Sequence, residues 1–178
     1  LPKKAERAAK LILTEEPIPV DVGSFANDYF IYIASFGAFT EVSYQTPGKL
    51  KKVFGHLAYI LEGVKSLGSI HPYHIKIDCD GKEAEGDYIF GMVTNSTSVG
   101  GFHFRKQALF DVKLDDGKFE VTLIHMPKNA RDIQQIIHDL LSQNLNSPYF
   151  DIFKASKLKI LSQQEIPWTL DGEYGGSL

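Results

Sequence analysis

Two carboxylates separated by a glycine lie near the end of the sequence, in the segment Leu170–Glu173 (Leu-Asp-Gly-Glu). A glycine in this position favours a tight turn, which would place Glu173 beyond the bend, where its side chain can project into a cleft. Such a carboxylate can accept a proton from a substrate hydroxyl if its surroundings suit that task. The same residues also fit an ordinary β-hairpin turn with two solvated acids, so the motif alone does not identify a catalytic base.

Two further segments contain residue types that could bind a ligand. Asn95–Gly101 is predicted to be a polar loop, and it combines small hydroxyl side chains with paired glycines, which allow a ligand to approach the backbone closely. Leu114–Lys118 (Leu-Asp-Asp-Gly-Lys) predicts an oxygen-rich turn that could hold a hard cation such as Mg²⁺. The alternative for this second segment is again a hairpin turn that binds nothing.

Other classes of site find no support in the sequence. No Walker A loop and no Gly-x-Gly-x-x-Gly motif occurs, so a loop that binds nucleotide phosphates is not recognisable. The six histidines are scattered without a His-Glu-x-x-His pair, and no serine lies in a Gly-x-Ser-x-Gly motif. Cys79 lies on the apolar face of a predicted strand and is interpreted as a small hydrophobic residue rather than a nucleophile.

Composition limits the class of protein. A chain of 178 residues with 43% hydrophobic and 23% charged residues can form one globular domain with a sizeable core. The formal charge of −3 argues against a nucleic-acid-binding protein, which would normally have a basic face. The single cysteine excludes an internal disulfide and favours a reducing compartment. The sequence has no apolar run of about 18 residues and no signal-peptide pattern.

Residue periodicity predicts many short strands with two or three helices inserted among them, which favours an antiparallel β-sandwich decorated by helices (α+β, mainly β). Helices are predicted over 2–13, over 46–67 with a lysine-rich polar face, and from an Asn129 cap to Leu141. The lysine-rich face could lie on an anionic membrane, although a solvated face is the simpler interpretation. Strands are predicted at Pro19–Gly23, Tyr29–Ala34, Tyr73–Cys79, Tyr88–Thr94, Phe119–Leu123, Phe150–Leu161 and around Trp168.

In their order and spacing, these segments resemble the C-terminal domain of bacterial diacylglycerol kinases and related lipid kinases, a family that includes the sphingosine kinases. The resemblance extends from about Val20 onward and rests on Phe30–Phe39, Thr46–Leu67, Val93–Gly101, Asp115–Gly117 and Leu170–Glu173. It implies that residues 1–17 are a helix and linker from a missing nucleotide-binding N-terminal domain. Residues 18–178 would then form the β-sandwich C-terminal domain.

The resemblance also implies roles for individual residues. The general base of the family falls on Glu173, and its structural magnesium site falls on the Asp116 carboxylate with the backbone carbonyls of Lys113 and Lys118. ATP would be the phosphoryl donor, bound mainly by the missing domain, so no cofactor-binding residue is expected in this chain. One departure concerns the Pro-x-Ala that commonly precedes the turn in the family, because Phe110–Val112 occupies those positions here.

The expected function is therefore ATP-dependent phosphorylation of a lipid hydroxyl, as in the conversion of diacylglycerol to phosphatidic acid, with this chain alone being inactive. A non-catalytic lipid-binding β-sandwich is the alternative, and a module that mediates only protein contacts is a third. The expected location is the cytoplasm, with peripheral contact at the inner face of the membrane. A lipid is the expected partner, nucleic acid is not, and exposed sheet edges favour a homodimer. An apolar cleft for the acyl chains is expected beside the Leu50–Val64 stripe.

Overall fold

The computed structural model describes residues 4–37, 71–99, 102–103 and 112–178, which form two helices and twelve strands. The helices are α1 (Ala5–Thr14) and α2 (Ala130–Ser142). The strands are β1 (Gly23–Phe25), β2 (Asp28–Phe30), β3 (Ile33–Gly37), β4 (Tyr73–Cys79), β5 (Lys82–Thr94), β6 (Ser98–Val99), β7 (Phe102–His103), β8 (Phe119–His125), β9 (Phe150–Ala155), β10 (Leu158–Ser162), β11 (Pro167–Leu170) and β12 (Glu173–Ser177). The predicted helix over 46–67, the acyl cleft beside it, and Phe110 with Asp111 lie outside the described residues.

The long strand β5 organises the sheet. Its first half pairs with β4, and its second half pairs with β3 on one edge and with β8 on the other. Eight strands thereby join into one antiparallel sheet in the order β10-β4-β5-β3-β11-β12, with β8 and β9 added beyond β5. Because β4 and β3 share one edge of β5, the sheet folds over along this strand and its two halves face each other. The predicted antiparallel β-sandwich is confirmed.

Two clusters of apolar side chains lie on opposite faces of the second half of the sheet. Inside the fold, Ile77 from β4 packs in one cluster with Phe36 and Trp168, whose rings are 4.9 Å apart. Outside, Ile136 of α2 packs in a second cluster with Ile124 of β8. Strand β8 therefore has packed side chains on both faces, and its residues from Phe119 to Ile124 are all buried instead of alternating between buried and exposed.

Several predicted elements are confirmed, and the confirmed ones depend on local signals. Helix α1 lies within the predicted range 2–13 apart from its last residue. Helix α2 begins after Asn129, whose side chain accepts the backbone N–H groups of Arg131 and Asp132 at 2.9 and 3.1 Å. The β4–β5 hairpin turns at Asp80-Gly81 as predicted.

Other boundaries were wrong. Of the predicted strand Pro19–Gly23, only Gly23 is in a strand. Phe150–Leu161 is divided at Ser156 and Lys157 into β9 and β10, because the chain passes there from one half of the sheet to the other. The predicted loop Asn95–Gly101 contains the short strand β6. Tyr29–Ala34 is divided between β2 and β3, for a reason that lies in the functional site.

The Asp80 carboxylate ties the β4–β5 turn to the β9–β10 connection. It accepts the backbone N–H groups of Ser156 and Lys157 at 2.7 and 3.0 Å, and the Ser156 hydroxyl at 3.1 Å. The Ser156 N–H, followed by the other donors, holds the pKa of Asp80 below its ordinary value. These bonds close the two halves of the sheet at one end.

We expect Asp80→Asn to lower the free energy of unfolding at pH 7. The free energy of unfolding of the variant should also fall less steeply than that of the wild type as the pH is lowered. A depressed folded-state pKa gives stability that is fully present above the unfolded pKa of about 4 and is lost as pH falls through the folded pKa. Urea denaturation of the wild type and of Asp80→Asn should show a difference in free energy of unfolding that is smaller at pH 3 than at pH 7. Asp28→Asn, the same replacement at an exposed aspartate of β2, is the control. A constant difference at both pH values would contradict the prediction.

Candidate functional site

The Leu170–Glu173 segment forms the tight turn between β11 and β12. Asp171 and Gly172 have φ of +49° and +95°, the left-handed values that a two-residue type I′ hairpin turn requires. Glu173 is the first residue of β12 and pairs directly with Leu170. Its side chain is exposed and has no hydrogen-bond partner among the described residues. The turn therefore presents one free carboxylate at the end of the hairpin.

The other acid of the turn, Asp171, forms hydrogen bonds to a distant part of the chain. The Asp171 carboxylate accepts three backbone N–H groups at 2.8 Å each, from Ile31, Tyr32 and Ile33. These donors point towards Asp171 instead of towards a neighbouring strand, which is why the predicted strand Tyr29–Ala34 is interrupted between β2 and β3. Asp171 thus fixes the hairpin that carries Glu173 against the β2–β3 connection.

The predicted cation turn lies immediately before β8. The Asp116 carboxylate accepts the backbone N–H of Lys118 at 3.2 Å through Oδ1, and its Oδ2 lies 2.8 Å from the Lys154 ammonium. The hydrogen bond from Lys154 holds the pKa of Asp116 below its ordinary value, so this carboxylate is ionised at neutral pH.

Asn95 and Asp21 anchor this turn to the end of β5. The Asn95 side-chain amide donates to the carbonyl oxygens of Asp21 and Leu114 at 3.0 and 3.1 Å. The Asp21 carboxylate accepts the Gly117 N–H at 2.6 Å. Asn95 was predicted to belong to a loop that a ligand could approach. In the structure it is 5% exposed and holds the Asp-Asp-Gly turn in place.

We expect Asn95→Ala to reduce the free energy of unfolding by about 2 kcal/mol, because the buried Asn95 amide loses its two hydrogen bonds to the carbonyl oxygens of Asp21 and Leu114. Hydrogen exchange at residues 114–118 should also become faster, since the turn loses its anchor. Urea denaturation and amide exchange measured by mass spectrometry test both effects. Asn27→Ala, in the exposed β1–β2 turn, should change neither quantity. Unchanged exchange at the turn would contradict the anchoring role.

A buried carboxylate that the sequence analysis did not single out lies next to the turn. Glu120 on β8 is 1% exposed, and neither of its carboxylate oxygens has a hydrogen-bond partner. It pairs directly with Lys154 of β9, whose Nζ is 3.4 Å from Glu120 Oε1. Burial raises the pKa of Glu120 above its ordinary value. Glu120 alternates along β8 with Phe119 and Val121, which pack in the inner cluster, so its side chain lies on the opposite, outer face of the strand.

The two predicted site regions lie at the same end of the sheet. Strand pairing links Glu173 to Leu170, Leu170 to Ala34, Ala34 to Val93, and Val93 to Val121 of β8. Four strand spacings separate the ends of this row, or about 19 Å. The candidate base and the Asp-Asp-Gly turn therefore lie at the same end of the sheet without touching each other.

The Asp-Asp-Gly turn has the donor chemistry that magnesium requires. The described residues contain no cluster of three or more His, Cys, Asp or Glu side chains able to hold a metal, so a cation would depend on backbone oxygens. Within the described ranges, no donor bonds to the carbonyl oxygens of Lys113 and Lys118. With the Asp116 carboxylate they form a set of hard oxygen ligands. The predicted ligand set is compatible with the turn and stays a prediction.

A cavity of about 620 Å³ lies on the inner side of the sheet, between β10 and the β1–β2 hairpin. Its walls are mainly apolar and include Phe25, Phe30, Ile160 and Trp168, and among the described residues that line it only Lys157 has a charged side chain. The predicted base and metal ligands are not among its lining residues. Neither described helix is long and apolar enough to cross a membrane.

Comparison with known proteins places the chain in a family. Residues 34–178 match the family model described as the YegS C-terminal NAD kinase beta sandwich-like domain. The chain is 34% identical to the diacylglycerol kinase of Bacillus subtilis (strain 168) over 172 residues, covering 97% of this chain and 56% of that protein. It is 30% identical to the diacylglycerol kinase of Staphylococcus carnosus (strain TM300) over 178 residues, covering 100% of this chain and 57% of that protein.

Solved structures agree with this assignment. A crystal structure of a diacylglycerol kinase from Bacillus anthracis str. Sterne has a TM-score of 0.65 and 23% identity, and covers 99% of this chain and 53% of that one. A further crystal structure from the same organism has a TM-score of 0.73 and 25% identity, and covers 99% of this chain and 58% of that one. The chain thus spans somewhat more than half the length of the relatives it matches. It belongs to the family of YegS C-terminal NAD kinase beta sandwich-like domains.

Proposed function

We propose that this chain is the lipid-facing C-terminal domain of an ATP-dependent lipid kinase that phosphorylates a hydroxyl of a diacylglycerol-type lipid. The observation that carries the proposal is the unequal use of the two acids in the β11–β12 turn. Asp171 is committed to three backbone bonds, whereas Glu173 is exposed and free to act on a substrate. The names of the curated relatives support the substrate class.

Glu173 serves as the general base in this proposal. A lipid alcohol is a weak nucleophile because its hydroxyl pKa lies far above 7. As the hydroxyl oxygen attacks the γ-phosphorus of ATP, the Glu173 carboxylate accepts its proton, a phosphate monoester forms and ADP leaves. A positioned base of this kind typically contributes about 10²- to 10⁴-fold to the rate. Asp171 acts indirectly by fixing the turn.

Magnesium is held, in this proposal, by the Asp116 carboxylate and the carbonyl oxygens of Lys113 and Lys118. A bound magnesium ion would supply fixed positive charge at the same end of the sheet as Glu173. Asn95 and Asp21 keep the turn that provides these oxygens in position. The phosphates of ATP would bind mainly outside this chain, since its sequence has no recognisable phosphate-binding loop.

The proposal includes the domain division and the partners expected from the sequence. Residues 1–17 would pack with a nucleotide-binding domain, because α1 buries none of its residues and leaves Ile12 and Leu13 74% and 85% exposed. Residues 18–178 would form the sandwich. Its lipid would be met at the inner face of the cytoplasmic membrane through peripheral contact. The terminal strands β10 and β12 offer edges for a homodimer, and no nucleic acid is involved.

The function is tested with the complete protein that contains these residues. Purified protein is incubated with ATP, Mg²⁺ and mixed micelles that contain diacylglycerol, phosphatidylglycerol or sphingosine, and the phosphorylated lipid is measured. We expect phosphate transfer to diacylglycerol that depends on ATP and is abolished by EDTA.

Two other outcomes would replace the proposal. A lipid-induced rise in melting temperature without any phosphorylated lipid would favour the non-catalytic lipid-binding domain. If the protein shows no phosphorylation of lipid and no lipid-dependent shift in melting temperature, a module for protein contacts is favoured.

A further inference from the structure

We propose that Lys154 is a built-in counter-cation of Asp116 that a divalent cation has to displace, and that Glu120 receives the displaced ammonium group. The inference rests on the proposed magnesium site at Asp116 and deepens it. It assigns a role to two residues of the sheet that contribute no ligand to that site.

The three side chains form a short row with the lysine in the middle. Glu120 and Lys154 face each other across the β8–β9 ladder, so both point to the outer face of the sheet. Asp116 lies in the turn that leads into β8. The Lys154 Nζ is 2.8 Å from Asp116 Oδ2 and 3.4 Å from Glu120 Oε1, so its closer contact is with the proposed metal ligand.

A divalent cation on Asp116 competes directly with this contact. Two cations held on one carboxylate lie only a few ångströms apart and repel each other strongly in a partly desolvated site. Asp116 and Lys154 are 25% and 27% exposed, so water screens this repulsion only in part. Metal binding at Asp116 therefore favours a position of Lys154 that is farther from the turn.

Glu120 is suited to accept Lys154 in that second position. Its carboxylate is 1% exposed and neither oxygen has a hydrogen-bond donor, an arrangement that is costly for a buried charge unless a cation stays near. A shift of roughly half an ångström would bring the ammonium within hydrogen-bond distance of Oε1. The pair then keeps its charge balance while the metal occupies Asp116.

The test measures Mg²⁺ affinity by isothermal titration calorimetry in the complete, nucleotide-free protein. The main variant is Lys154→Met combined with Glu120→Gln, which removes the competing cation without leaving an unpaired buried charge. We expect it to bind Mg²⁺ on the order of tenfold more tightly than the wild type, because no ammonium has to be displaced. Glu120→Gln alone should bind Mg²⁺ about threefold more weakly, since Lys154 loses the charge that receives it.

Two controls separate this inference from the proposed metal site. Lys76→Met with Glu83→Gln makes the same charge change in an exposed cross-strand pair, whose atoms are 3.0 Å apart, and should leave the affinity unchanged. Asp116→Asn should abolish the binding that these variants modulate. If it does, and the Lys154 and Glu120 double variant binds Mg²⁺ no more tightly than the wild type, Lys154 is not a competitor and the inference is wrong. If Asp116→Asn leaves Mg²⁺ binding intact, the magnesium site itself is wrong and the inference falls with it, while lipid phosphorylation is judged by its own assay.

Discussion

Asp171→Ala is expected to lower the free energy of unfolding by about 3 kcal/mol, whereas Glu173→Ala, two residues away in the same turn, should change it by less than about 0.5 kcal/mol. Asp171 accepts three backbone N–H groups at 2.8 Å, and hydrogen bonds to a charged acceptor are among the stronger ones. Alanine also tolerates the left-handed φ of +49° less well than aspartate. Glu173 makes no comparable bond.

The measurement is urea denaturation followed by the fluorescence of Trp168, the single tryptophan of the chain, which lies in β11 three residues before Asp171 and is 3% exposed. Asp171→Asn should be intermediate, because an amide oxygen still accepts a hydrogen bond but without the charge. Equal destabilisation by Asp171→Ala and Glu173→Ala would contradict the prediction that Asp171 stabilises the fold and that Glu173 does not.

The Asp171 bonds also explain which parts of the fold could be predicted from the sequence. The Asn129 cap and the Asp80-Gly81 turn were predicted correctly because the groups that define them lie within a few residues of each other. The division of Tyr29–Ala34 could not be predicted in this way. Its cause is a carboxylate about 140 residues further along the chain, and five of the six residues of that segment are aromatic or β-branched and favour a strand.

Burial of polar side chains was the second limit of the sequence reasoning. Glu120 and Thr122 alternate with apolar residues of β8, a pattern that normally indicates a solvent-exposed face. Both are nevertheless buried in the structure, on the face of β8 opposite to the inner cluster. The motif residues were found from their types and order. The contacts that hold the motifs in place, such as those of Asn95 and Asp21 with the Asp-Asp-Gly turn, became recognisable only in the folded structure.

Glu173→Gln in the complete protein is expected to reduce kcat for lipid phosphorylation by about 10²- to 10⁴-fold, the usual contribution of a general base. The change is nearly isosteric and removes only the ability to take a proton. The exposed side chain has no partner among the described residues, so the melting temperature and the KM values for ATP and lipid should stay close to those of the wild type. Glu165→Gln, the same replacement at another exposed glutamate, should leave kcat unchanged.

The comparison of Glu173→Gln with Asp171→Asn then distinguishes a catalytic group from a positioning one. Loss of the base lowers kcat in a protein of normal stability, because the turn and its three backbone bonds remain. Loss of the Asp171 charge lowers stability first, and it lowers kcat only as far as the hairpin that carries Glu173 becomes less well placed. A Glu173→Gln protein that retains kcat within about threefold would exclude this residue as the base, since so small a change lies well below the contribution of a positioned carboxylate. The Asp171 carboxylate already accepts three backbone N–H groups, so we expect its replacement to act on the placement of the hairpin and not on proton transfer.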